Sequence, residues 1–154
     1  MANQLLDLWH KLSGAPGGKW LFSKIMGWKV PYTGSVRPRV MELAPGHAKA
    51  RLHDRRGVRN HLRSIHALAQ MNIAEFVTGL AMTAQLPKDA RAIITGLSIE
   101  YTKKARGTLT ASCQCPELGA ITDDRELIIE SQLHDEAGDL VSRAKATWRI
   151  GPRR

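Results

Sequence analysis

The spacing of apolar and polar positions changes several times along this chain, and each change marks an element. Over residues 3–12, Leu5, Leu6, Trp9 and Leu12 recur at the spacing of a short amphipathic helix. A Gly- and Pro-rich run at 13–18 interrupts the pattern. Helical spacing resumes over 19–28 through Trp20, Leu21, Ile25 and Trp28, and Pro31 is expected to close this second helix. Trp9, Trp20 and Trp28 are expected to pack the segment on the rest of the fold.

Two strand-like runs follow. Over 36–43, Val36, Pro38, Val40 and Glu42 alternate with Arg37, Arg39, Met41 and Leu43. Pro38 cannot donate to a ladder, so this strand is predicted to be an edge strand or a bulged one. After the turn Ala44-Pro45-Gly46, the run 47–53 places Ala48, Ala50 and Leu52 on one face. A basic loop covers 54–64.

The segment 67–86 is rich in helix formers and apolar almost all round, as expected of a buried helix. Ser64 is its predicted N-cap and Pro87 its terminator. Gln70, Asn72, Glu75, Thr78, Thr83 and Gln85 argue against a membrane span at this length. Beyond Pro87 the period becomes two, predicting strands at 92–104, 108–115, 125–134 and 140–150. Asp135-Glu136-Ala137-Gly138-Asp139 carries a hairpin signal. These parts predict an α+β fold in which a long antiparallel sheet wraps around one apolar helix.

Composition narrows the function classes. At 154 residues the chain is one domain by length, large enough for a core without disulfides or metals. Cys113 and Cys115 share a strand face and read as reduced core thiols. The histidines at 47, 53, 61 and 66 show no ligand spacing, so no metal is expected. The N-terminus lacks the pattern of a signal peptide, and a cytoplasmic location is expected. A net charge of +9 predicts attraction to polyanions: nucleic acid, anionic headgroups or phosphate-bearing molecules. Of the aromatics, only Tyr101 lies near a basic cluster, so nucleic acid rests on net charge alone and is not the expected partner. The G-x-S-x-G elbow and the glycine-rich phosphate loop are both missing from the sequence.

Glu75 stands out as the one ionisable side chain between His66 and Lys88, in mid-helix on a buried segment. A lone buried carboxylate is costly unless it is paired, protonated or used in chemistry. Asn72 and Thr78 lie three residues to either side. The preceding loop offers Asn60, His61, Ser64 and His66, and the helix start offers the unpaired N–H of Ala67, a donor suited to an oxyanion. His66 and Glu75 are nine residues apart, about 180° around a helix. Both act at one site only if another copy of the chain brings them together, which predicts a dimer with interfacial sites. The competing readings are a structural Glu75 paired with Arg59 or Arg63, a structural His66, and solvated turn charges at Lys103, Lys104 and Arg106.

Asn60 followed by His66, with Glu75 nine residues later on a buried helix, resembles the hotdog-fold acyl-CoA thioesterases. Within them the nearest likeness is to the phenylacetic-acid-degradation type and its uncharacterised relatives. The stretch from Ile99 to Ala111, a strand, a basic turn, Gly107 and a second strand, is similar to a segment of that family, as is the closing hairpin at 134–141. The likeness covers roughly residues 36 to 150. It implies a hotdog domain over 31–154, with 1–30 as an N-terminal helical extension. By the same likeness Glu75 is general base or nucleophile, Asn60 positions the water or the thioester carbonyl, and the Ala67 N–H beside His66 polarises that carbonyl. Lys103, Lys104 and Arg106 would meet CoA phosphates, and His61, Ser64, Leu68, Asn72 and Thr78 would line the substrate. CoA enters as part of the substrate rather than as a cofactor, and the assembly implied is a homodimer or a dimer of dimers. The family's Gly-Gly after the histidine is Ala67-Leu68 here. That departure leaves a non-catalytic acyl-CoA or acyl-carrier binding protein as the alternative.

Overall fold

A computed structural model describes residues 2–153. Helices α1 (Ala2–Ser13), α2 (Gly18–Lys29) and α3 (Pro31–Val36) precede strands β1 (Arg39–Ala44) and β2 (His47–Leu52). A 3-10 turn (Arg56–Val58) leads into α4 (Ala67–Thr83), followed by β3 (Ala90–Tyr101), β4 (Leu109–Gln114), β5 (Arg125–His134) and β6 (Leu140–Pro152). The six strands form one sheet in the order β1-β2-β4-β5-β6-β3, antiparallel at every pairing. Helix α4 packs against the sheet and touches all six strands. This is the expected α+β arrangement of a sheet around one central helix.

The apolar character of α4 on nearly all sides explains its position. Ile73, Ala74, Val77 and Ala81 are fully buried, and small side chains on the strands opposite, Ala48, Ala50 and Ala111, let helix and sheet approach closely. Full burial of a residue such as Ile73 or Val77 contributes about 1.5–3 kcal/mol. His66, rather than the expected Ser64, caps the helix: its backbone is non-helical, and its Nδ1 accepts the Leu68 N–H at 3.1 Å. The helix ends at Thr83, short of Pro87, through tightened i→i+3 bonds from Gln85 and Leu86.

Two further differences from the expected elements have clear causes. Residues 31–36 form α3, so Val36 ends a helix instead of opening a strand, because Pro31 pre-sets the first helical turn as well as ending α2. The helix closes on Arg37 in the left-handed conformation (φ 59°), whose N–H bonds the Thr33 carbonyl. Strand β1 is both an edge strand and bulged: Val40 pairs with Ala50 and Glu42 with Lys49, leaving Met41 extra. The bulge resets the alternation, so Val40 and Leu43 both face the core.

Helix α2 secures this irregular edge. The Ser23 hydroxyl accepts the Val40 N–H at 2.9 Å, and Lys19 Nζ donates to the Met41 carbonyl at 2.8 Å. Trp9 meets Phe22 edge-on at a centroid distance of 5.0 Å, and both join the main buried cluster. Trp20 and Trp28 do not pack as expected; both are exposed. Among the described residues no helix is long and apolar enough to cross a membrane, and both cysteines are free and buried.

Candidate active site

Glu75 projects from the middle of α4 into a cavity of about 260 Å³. One wall is a single face of α4: Glu75, Phe76, Gly79, Leu80 and Thr83 recur at helical spacing. The other wall comes from the N-terminal helices, mainly Leu5, Leu8, Met26 and Val30. Among the described residues the Glu75 carboxylate has no hydrogen-bond or ion-pair partner. Burial alone pushes its pKa above the usual carboxylate range, because the apolar surroundings disfavour the charged form. The pairing with Arg59 or Arg63 does not form: Arg59 Nε is held by Asp54 at 2.6 Å, and Arg63 has no ion pair among the described residues.

The neighbours of Glu75 on the helix are engaged elsewhere. Asn72 Nδ2 donates to the Thr33 hydroxyl at 3.1 Å, while its Oδ1 is buried without a partner among the described residues. Thr78 is buried; its hydroxyl donates to the Glu75 carbonyl at 2.8 Å and accepts the Trp148 indole N–H at 3.1 Å. Glu75 is therefore carried on a turn of helix bonded to β6, with its carboxylate left free.

A second depression, of about 390 Å³, lies at the N-terminal end of α4. Asn60 folds the loop before the helix: its Oδ1 accepts the N–H groups of Leu62 and Ser64, at 2.9 and 3.1 Å. The Asn60 amide NH2 has no acceptor among the described residues. Bonds from Ile65 N–H to the Ala105 carbonyl and from His66 N–H to the Val58 carbonyl, at 2.8 and 2.7 Å, fix where α4 starts. The Ala67 N–H is left without an acceptor among the described residues, and the Tyr101 hydroxyl donates to the Ala67 carbonyl at 3.0 Å. Asn60, Ser64, Ala67, Lys103 and Lys104 thus share one depression.

The remaining predicted site residues are scattered. His66 and Leu68 line a third, shallow hollow beside Tyr32, and His61 and Arg106 are exposed. Lys103 is clamped between Asp135 and Asp139 at 2.5 and 2.6 Å, which raises its pKa and lowers that of Asp135. Lys104 and Arg106 form no ion pair among the described residues. No group of three or more His, Cys, Asp or Glu among the described residues is placed to hold a metal.

Ala67 and Glu75 are eight residues apart on one helix, about 12 Å along its axis. One thioester carbonyl needs donor and base within about 3 Å of the reacting atoms. Within a single chain the donors at the start of α4 and the carboxylate in its middle therefore do not converge on one atom. The N-terminal helices' share of the carboxylate cavity was not foreseen from the sequence. The α4 half was readable from the 75, 76, 79, 80, 83 spacing, but Leu5, Leu8 and Met26 reach it only through tertiary packing.

The family model described as a domain of unknown function, DUF4442, matches residues 18–150. This chain belongs to the DUF4442 family. Among solved structures the DUF4442 chain is similar to the structural-genomics protein APC5556, with 28% identity, 98% of each chain covered and a TM-score of 0.81. It is also similar to a Pseudomonas aeruginosa protein of unknown function described as a "Probable Thioesterase". That match has 20% identity over 85% of this chain and 93% of the other, with a TM-score of 0.75. A third similar structure is a thioesterase from Haemophilus influenzae, at 12% identity over 79% of this chain and 82% of the other, TM-score 0.69. The fold of this DUF4442 chain is the hotdog fold of these proteins. No curated protein matches it.

Proposed function

We propose that this DUF4442 chain hydrolyses acyl-CoA thioesters with Glu75 as general base. The observation that carries the reading is Glu75 itself: a desolvated carboxylate, unpaired among the described residues, facing a largely apolar cavity of about 260 Å³ that Lys29 and Gln4 also border. A desolvated carboxylate is a stronger base than a solvated one, and the cavity suits the acyl part of a substrate. Glu75 takes a proton from water, and the resulting hydroxide forms a C–O bond to the thioester carbon. The carbonyl π electrons move to oxygen, and the Ala67 N–H and the Asn60 amide hold that oxyanion. Collapse breaks the C–S bond, and the thiolate leaves with the proton returned from Glu75. Lys104 and Arg106, both without carboxylate partners among the described residues, are the cations available for CoA phosphates.

The donors at the start of α4 and the Glu75 carboxylate meet in one site if a second copy supplies the donors. Strand β3 supports a homodimer: it is an edge strand of 12 residues, and its outer edge is unpaired. The structures of a Haemophilus thioesterase and of a thioesterase from Staphylococcus aureus share the fold and favour the same reaction class. One observation favours the alternative of acyl-CoA binding without turnover: Leu68, 56% exposed, stands where the resembling family has glycine. Thiol release from acyl-CoAs separates the two, since the binding protein takes up CoA esters saturably and releases no thiol.

A further inference from the structure

Exposed apolar surface is concentrated in one short stretch. Of ten exposed large apolar side chains among the described residues, five (Trp20, Leu21, Trp28, Val30 and Tyr32) lie within residues 20–32. Trp28 is 82% exposed and Tyr32 64%. Trp20, Lys24 and Trp28 follow one another at i, i+4 and i+8 on α2, with Lys24 Nζ 5.6 Å from the Trp20 ring centroid. The close contact of Gly27 with Gly34 packs α3 against α2. Trp20 and Trp28 border one groove, while Val30 lies at the Glu75 cavity and Tyr32 at the hollow beside His66.

The charge of this region is one-sided. None of the 14 Asp and Glu residues falls between positions 8 and 41, whereas Lys11, Lys19, Lys24, Lys29, Arg37 and Arg39 do. Trp20 and Trp28 border a groove of about 790 Å³ with Lys24, Arg37, Arg39 and Arg55, and no carboxylate lines it. Arg55 is set in place by bonds to the Ser35 and Val36 carbonyls, at 2.7 and 3.0 Å.

These features discriminate among occupants. A second copy would bring one cationic face against another. A soluble nucleotide in the groove would meet Trp20 and Trp28 but leave Leu21, Val30 and Tyr32, which do not line it, in water. An anionic bilayer satisfies both features: indole and phenol rings settle at headgroup depth while lysines and arginines meet lipid phosphates. We infer that the α2–α3 face docks this protein on the surface of anionic phospholipid bilayers, lying on the membrane without crossing it. The inference is independent of the thioesterase reading, although α2 also lines the Glu75 cavity through Met26 and Lys29.

Co-sedimentation of the full chain with vesicles of phosphatidylcholine, alone or mixed with phosphatidylglycerol, tests it. The expected result is pelleting with the anionic mixture at low salt and none with phosphatidylcholine alone. Trp28→Ala with Tyr32→Ala, and separately Lys24→Glu, should each weaken binding by about tenfold or more. Lys88→Glu, the same charge change outside residues 8–41, should leave it within about twofold of wild type. These side chains are exposed, and thermal melts of the variants report retained folding. No pelleting with anionic vesicles would overturn the proposal, as would equal losses in Lys88→Glu and Lys24→Glu. So would saturable quenching of tryptophan fluorescence by ADP that vesicles fail to reverse, or self-association abolished by Trp28→Ala.

Discussion

The Trp148 indole on β6 donates to the Thr78 hydroxyl on α4 at 3.1 Å, and that hydroxyl donates in turn to the carbonyl of Glu75. This buried relay joins the sheet to the turn that carries Glu75. Thr78→Val keeps the shape of the side chain but leaves the indole N–H of a buried tryptophan unpaired. The expected cost is about 1–3 kcal/mol in denaturant unfolding. Thr78→Ser, which retains the hydroxyl, should recover most of that stability.

Glu75 should also shape the pH dependence of stability. Its native pKa is raised above the ordinary 4.5 by burial. Between those two values the folded chain binds more protons than the unfolded one. Stability therefore falls as pH rises through this window, and the whole cost is present above the native pKa. Glu75→Gln removes the cost. The variant is expected to melt above wild type at neutral pH and to converge with it below about pH 4.5. Melting temperatures across acid to neutral pH check this.

With Glu75 as the proposed base, the same shift should set the acid limb of activity. A general base works only when ionised, so kcat/KM for thioester hydrolysis should rise with pH through a midpoint above the ordinary carboxylate value. A pH–rate profile with no ionisation in the acid range would count against Glu75 as the base.

Gly79 lies beneath the carboxylate. A Cβ there would meet the Trp148 ring at 3.5 Å and Glu75 Oε1 at 3.9 Å, ordinary contacts. Gly79→Ala should therefore stabilise α4 by about 0.5–1 kcal/mol through helix propensity alone. Gly79→Phe, by contrast, should fill the cavity and raise KM for longer acyl chains more than for short ones. Chain-length kinetics on the two variants would measure the difference.

The basic turn should divide by partner. Lys103 is committed to Asp135 and Asp139, so Lys103→Ala is expected to loosen the β5–β6 hairpin and barely alter CoA recognition. Lys104→Ala combined with Arg106→Ala should raise KM for CoA esters several-fold, most clearly at low salt. Steady-state kinetics at two ionic strengths separate these effects.

Most of the sheet and the central helix could be read from periodicity, because α4 is apolar all round and β4 to β6 alternate cleanly. The edge position and bulge of β1 agree with the expectation drawn from Pro38, although Pro38 itself lies just ahead of the strand and the bulge falls at Met41. Helix α3 was not, because Pro31 can both end one helix and begin the next. The cap on α4 shifted from Ser64 to His66 because the backbone bonds of Ile65 and His66 fix the helix start, a constraint with no local signature. Glu75 was conspicuous as a lone carboxylate on a buried helix. Its cavity was hidden, since half of its wall comes from α1 and α2, about 50 to 70 positions earlier in the chain.

Thiol release from short, medium, long and aromatic acyl-CoAs, by wild type and by Glu75→Gln, tests the role of Glu75 most directly. Wild type should release thiol from at least one ester, and Glu75→Gln should lose about 10²–10⁴-fold of that rate while remaining folded. Undiminished release by folded Glu75→Gln, or none from any ester by wild type, would contradict hydrolysis through Glu75.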